Sequence, residues 1–149
     1  MQMRSTLCRF FPWLTVLALA GAPTVAAADD LDSCARQSGD AAIAACSRAI
    51  ASGEFRGEEL AKIYLNRGVE HKNKSDLDSA IADYDEAIRL NPKFAKSYYN
   101  RGVAREKKRS LQEALSDFEA YAQLVPSDPD GPKSMARVKS ELSAMTGRR

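Results

Sequence analysis

The sequence predicts an all-α protein, an array of stacked helix pairs, on three observations. Residues Ala61–Phe94 and Ala95–Asp128 align without a gap at a constant offset of 34 positions: Tyr64 falls on Tyr98, Asn66-Arg67-Gly68 on Asn100-Arg101-Gly102, Ala80 on Ala114, Tyr84 on Phe118 and Pro92 on Pro126. A fixed period of this length marks a helical repeat array. Asn91-Pro92 and Val125-Pro126 recur at one place in each unit, and a residue before proline leaves the helical region, so each pair stops a helix. Gly68 and Gly102, with Ala80 and Ala114, put small residues where the two helices of a hairpin cross closely. Tyr84 and Phe118 are expected to fill the space between successive hairpins.

The chain opens on a different pattern. Arg4 and Arg9 precede the apolar run Phe10–Leu19, Gly21 and Pro23 break it, and Val25-Ala26-Ala27-Ala28 offers small residues before Asp29-Asp30. A basic start, an apolar core and an Ala-x-Ala-like site compose a secretory leader, residues 1–28, with the cut near Ala27 or Ala28. The apolar run is shorter than the roughly 20 residues of a membrane span; a retained anchor is the alternative, and no span is expected after cleavage. The leader takes two of the 22 bases with it, leaving as many as the 20 acids, so the formal net charge of +2 disappears. Without a global basic field nucleic acid is not an expected partner. Cys8 leaves with the leader, and Cys34 and Cys46 remain. An even count in an oxidising compartment predicts a disulfide, with free buried thiols as the alternative. The spacing is not that of a metal site, which wants two close pairs or added histidines, and His71 stands alone far along the chain. No metal or cofactor is expected.

The remaining residues 29–149 make one domain. Its first segment, 29–60, is a degenerate copy of the repeat: Ala42-Ile43-Ala44-Ala45-Cys46-Ser47-Arg48-Ala49-Ile50 overlays Ala80-Ile81-Ala82-Asp83-Tyr84-Asp85-Glu86-Ala87-Ile88. Its first helix is predicted at about Leu31–Gln37, with Ser38-Gly39-Asp40 as the turn and Gly39 free to take a positive φ. Cys46 stands where the regular repeats carry an aromatic ring, and a bond to Cys34 would replace the lost packing by a covalent link worth up to about 3 kcal/mol. A longer turn is read at Ala51–Glu59 from Gly53 and Gly57. Helices follow at about Glu58–Asn73, Asp76–Leu90, Pro92–Lys108 and Leu111–Leu124. Ser75 with Asp78, and Ser110 with Glu113, have capping-box spacing at helix starts. Ser127–Pro132 reads as a turn-rich break. Met135, Val138, Leu142 and Met145 then recur at helical spacing, which predicts a cap helix over residues 129–149.

These residues resemble the tetratricopeptide repeat family. The resemblance rests on the Asn-Arg-Gly and Ala-Ile-Ala-Asp-Tyr-Asp-Glu-Ala-Ile-Arg-Leu-Asn-Pro wording. The degenerate leading hairpin with Cys34 and Cys46 is similar to small exported bacterial members, which implies a periplasmic or secreted protein. The family implies an α-α superhelix: here two regular repeats (61–94 and 95–128), one degenerate N-terminal helical hairpin and a C-terminal cap helix. Its concave groove, lined by the first helix of each pair, usually holds a peptide or a partner's segment. The groove positions fall on Lys62, Leu65, Asn66, Val69 and Asn73, and on Lys96, Tyr99, Asn100, Val103 and Lys107. Their spacing of i, i+3, i+4, i+7 puts each set on one helix face. An apolar strip flanked by amides and lysines suits an extended acidic segment or a C-terminal carboxylate; a solvated helix face is the alternative for the lysines. Some members grip a terminal carboxylate with a five-residue set, of which only Asn66 and Lys96 are matched, Asn100 standing in place of an arginine.

Other chemistry is excluded on residue grounds. No serine or cysteine has a paired histidine for nucleophilic work, and His71 falls where the family often has a packed aromatic. Asp83, Asp85 and Glu86 lack the pocket that acid–base catalysis needs. Asn73-Lys74-Ser75 matches a glycosylation acceptor by chance at a helix junction, and Lys107-Lys108-Arg109 is too short a basic run for nucleic acid. The expectation is an exported, non-catalytic protein-interaction module. A membrane-tethered subunit of an envelope complex, or an accessory or inhibitor of an envelope enzyme, are its rivals. Oligomeric state is left open.

Overall fold

The computed structural model describes residues 23–147, and within them the chain forms seven α-helices and no strand. They are α1 (Val25–Arg36), α2 (Gly39–Ser52), α3 (Gly57–Asn73), α4 (Leu77–Leu90), α5 (Ala95–Lys107), α6 (Leu111–Leu124) and α7 (Asp130–Thr146). Helices α1 and α2, α3 and α4, and α5 and α6 pack as hairpins, each hairpin stacks on the next, and α7 closes the stack against α6. The first helices of neighbouring hairpins also touch, α1 with α3 and α3 with α5, whereas the second helices do not pack on one another. The stack therefore curves with α1, α3 and α5 on its inner side.

Glycine sets the hairpin crossings. A Cβ added to Gly68 would lie 2.7 Å from Tyr84 Cε1 and 3.1 Å from Asp83 Cβ, and one added to Gly102 would lie 2.9 Å from Phe118 Cε1. Tyr84 and Phe118 are fully buried, and each ring lies against the glycine of its own hairpin. The missing side chain opens the gap that the ring occupies, and each ring also reaches the next unit, as expected: Tyr84 shares a cluster with Ala104 of α5, and Phe118 with Val138 of α7. The two rings differ at one atom. Tyr84 Oη is buried with no hydrogen-bond partner among the described residues, and burial pushes its phenol above the ordinary value. Tyr84→Phe, which copies the residue of the next repeat, is expected to leave stability unchanged or raise it by about 1 kcal/mol, because it removes an unsatisfied buried hydroxyl. Urea unfolding checks this; a loss of stability would show that the hydroxyl has a partner in solution.

Several boundaries differ from the sequence reading. Helix α1 starts at Val25, six residues before the expected start, because the Thr24 side chain caps it by accepting from the Ala27 amide. The Thr24 hydroxyl in turn donates to Glu54 at 2.9 Å, and Ala27 is buried. The helix thus runs across the position read as the leader cut; residues 1–22 lie outside the described part. Asp76, not Ser75, caps α4, accepting from the Ser79 amide. Ser75 sits in the left-handed region at φ 65°, as does Arg109 at φ 65° in the equivalent turn. Ser110 is the cap residue of α6 but makes no side-chain bond there. Helix α5 starts at Ala95, not at Pro92, and α7 starts inside the expected break at Asp130. Proline is tolerated within a first helical turn, so Pro132 does not delay it. Gly39 takes the expected positive φ, 63°.

The segment read as a long turn contributes a core residue. Phe55 is buried in one cluster with Cys34, Cys46 and Ile63. An aromatic ring from the linker thus fills space that Cys46 is too small to occupy. Cys34 and Cys46 lie within bonding distance of each other across the α1–α2 hairpin, with Cα atoms 4.7 Å apart.

Candidate functional site

The inner surface is built mainly from α3 and α5, and the side chains there divide into three groups. Leu65 is only 7% exposed and belongs to the core beneath the groove. Val69 and Val103 are half-buried and packed against the second and third core clusters. Tyr99 is half-buried with its ring centroid 5.7 Å from Phe118 and 5.0 Å from Tyr121. Tyr121 is itself anchored, its hydroxyl donating to Asp128, whose carboxylate pushes that phenol up to about 12. The groove floor is therefore continuous with the core.

The amides come second. Asn66 is half-exposed and Asn73 exposed. Asn100 is committed at both ends: its Oδ1 accepts from Lys72 Nζ at 2.6 Å, and its Nδ2 donates to the Lys96 carbonyl at 2.9 Å. Lys72 was missed in the sequence reading, which followed Asn66 and Val69 to Asn73. It lies three positions beyond Val69, and residues three apart share a helix face as those four apart do. The structure makes it the link between α3 and α5.

Charge is the third group. Lys62 is exposed and pairs with Glu58 one turn earlier at 2.7 Å. Lys72, Lys96 and Lys107 have no carboxylate within ion-pair distance among the described residues, and neither do Lys93 and Lys139, whereas Lys74 pairs with Asp40, Lys108 with Asp78, Arg109 with Glu141 and Arg137 with Glu106. Burial, and then the like charge of Lys107, hold Lys72 below the usual lysine range. Glu106, beside Lys107 in sequence, is taken by Arg137 through two bonds of 2.6 and 2.8 Å. Glu70 is turned away to accept from the Gly39 amide at 2.7 Å. The inner face thus presents unneutralised ammonium groups beside amides and an aromatic edge.

Elsewhere the polar residues have structural partners. Arg67 binds Asp83 through two bonds of 2.9 and 2.6 Å, and Arg101 with Arg105 encloses Asp117. Arg67 also lies over Tyr64 and Arg101 over Tyr98, at 5.5 and 5.6 Å from the ring centres, a favourable cation–π geometry. His71 is half-buried, with Nδ1 3.3 Å from Asp76 and Nε2 4.0 Å from Asp83. Among the described residues no group of three or more His, Cys, Asp or Glu is placed to hold a metal ion, and no helix is long and apolar enough to cross a membrane.

Residues 65–129, from the middle of α3 through α6, match the family described as tetratricopeptide repeat. This stretch of the chain carries tetratricopeptide repeats. Its architecture agrees with solved members of that family. The second tetratricopeptide repeat domain of human RPAP3, in complex with the HSP70 peptide SGPTIEEVD, is 27% identical with a TM-score of 0.61, over 67% of this chain and 80% of that one. The tetratricopeptide repeat domain of Arabidopsis OM64 is 25% identical with a TM-score of 0.62, over 68% and 80%. The first such domain of human RPAP3, 20% identical with a TM-score of 0.69 over 84% and 95%, shows the shared fold. Among curated proteins none matches this chain in sequence. The match spans the hairpins α3–α4 and α5–α6; α1, α2 and α7 lie outside it.

Proposed function

We propose that this protein is an exported, non-catalytic interaction module that holds a partner's extended acidic segment in the groove of α3 and α5. The observation that carries the reading is the set of inner-face lysines, Lys72, Lys96 and Lys107, left without carboxylates while the nearby Glu106 and Glu70 are held elsewhere. An ammonium group without a counter-ion recruits a carboxylate, and a charge-assisted hydrogen bond is about twice as strong as a neutral one. The bound peptide of the RPAP3 relative, with its two glutamates and final aspartate, supports the same ligand class.

The experiment compares affinity capture from envelope extract by the wild-type protein and by Lys96→Glu. Lys96 is the better target than Lys62, whose charge Glu58 already offsets. Partners retained by the wild type are expected to be lost from the variant. Retention of the same partners after charge reversal removes the groove reading.

Export rests on the leader-like residues 1–28 and on the Cys34–Cys46 pair. A cut after Ala27 or Ala28 removes the Thr24 cap and the first turn of α1, and what remains of the helix is then held to α2 by the disulfide. Mass spectrometry of the mature protein is expected to find a start at Ala28 or Asp29, and thiol labelling without reductant is expected to find neither Cys34 nor Cys46 free. Retention of Phe10–Leu19 would make the protein membrane-tethered instead, and two labelled thiols would remove the argument for an oxidising compartment.

A further inference from the structure

The groove residues identified from the repeat spacing do not include the inner-face lysine that is most constrained. Lys72 is half-buried, it crosses from α3 to α5, and its ammonium is fixed on Asn100 Oδ1 at 2.6 Å. Lys107 follows Asn100 by seven positions on α5, which puts it two turns further along the same face. No carboxylate reaches either lysine among the described residues, since Glu106 is held by Arg137 and Glu70 by the Gly39 amide. A half-desolvated ammonium keeps only part of its hydration, and a neutral amide oxygen does not cancel its charge. The site is therefore pre-organised for anionic oxygens.

We propose that Lys72, Asn100 and Lys107 form an acidic-side-chain subsite that takes two neighbouring carboxylates of the bound segment. It leaves out Asn66 and Lys96, the two positions that match the family's terminal-carboxylate grip, and shares with that grip only the slot of Asn100, where this chain lacks the arginine. Two cations without counter-ions on adjacent first helices match two negative charges close together in one segment. The tether on Asn100 lowers the entropy lost when Lys72 is ordered by a ligand. This inference rests on the groove reading above and adds the position and chemistry of the occupant.

The probes are the peptide SGPTIEEVD and its neutral counterpart SGPTIQQVD, titrated by calorimetry against the purified protein and its Lys72→Gln, Lys107→Gln, Lys72→Arg and Lys96→Gln variants. The wild type is expected to prefer the acidic peptide by roughly tenfold or more, as two charge-assisted contacts at a half-exposed site require. Lys72→Gln and Lys107→Gln are expected to erase most of that preference while binding the neutral peptide unchanged, and Lys72→Arg to keep it. Circular dichroism of each variant confirms that helix content is intact. If Lys96→Gln weakens binding but Lys72→Gln and Lys107→Gln do not change the preference, the groove reading stands and this subsite is overturned; the two lysines then only complement the negative ends of their helices. If neither peptide binds the wild type, or no variant alters binding, both readings fall.

Discussion

Phe118→Ala is expected to destabilise the protein by about 3–5 kcal/mol, the usual cost of removing a fully buried phenylalanine. Phe118 has no exposed surface and joins Leu111, Ala114 and Val138 in one cluster. It therefore connects α6 to the cap helix α7, and through Tyr99, 5.7 Å away, to the groove. The gap next to Gly102 is shaped by the ring, and the two helix backbones cannot close it without moving the whole hairpin. In a repeat array each unit contacts only its neighbours, so the damage concentrates at the C-terminal hairpin and α7. Urea unfolding followed by circular dichroism should show either one shifted transition or a separate early loss of the C-terminal helices. Gly102→Val should fail in the same place for the opposite reason, since its side chain would enter the volume of the ring. A cost below about 1 kcal/mol for Phe118→Ala would mean that the site collapses freely, contrary to the packing described here.

Asp117→Ala is expected to cost about 3 kcal/mol. The Asp117 side chain is 3% exposed and accepts from Arg101 Nη2 at 2.6 Å and Arg105 Nη1 at 2.8 Å. Removing it leaves two arginines, whose side chains are 15% and 23% exposed, facing each other without their shared anion. Asp85 still reaches Arg101 from the preceding hairpin, and this limits the loss. The equivalent Asp83 binds one arginine, Arg67, whose Nη1 also donates to Ser47 at 3.0 Å. Asp83→Ala should therefore cost less than Asp117→Ala. A double-mutant cycle on Asp117 and Arg101 isolates the pair from general packing. Equal losses at Asp83 and Asp117, or no coupling in the cycle, would contradict this account.

Both predictions concern residues whose roles recur every 34 positions, which is why so much of the fold was legible. Gly68 and Gly102, Tyr84 and Phe118, and the prolines at 92 and 126 each appear twice, and a slot repeated at one spacing carries its packing role with it. The turn residues show how close reading can still slip. The true repeat partner of Ser75 is Arg109, and that of Asp76 is Ser110; following the serines across an offset of 35 assigned the cap to the wrong residue. The groove was legible as a helix face and not as chemistry. Its ten expected positions included Leu65, which the core absorbs, and Lys62, which Glu58 neutralises, and they left out Lys72.

By itself the sequence determined the helix pairs, their order, their stops and the small residues at each crossing, because these depend on residues within one repeat and on a period that the chain states twice. Tertiary structure alone decided which cations are paired and how Phe55 fills the gap left at Cys46. Each of those depends on a group brought from another helix or from a linker, and its partner has no constant separation along the chain.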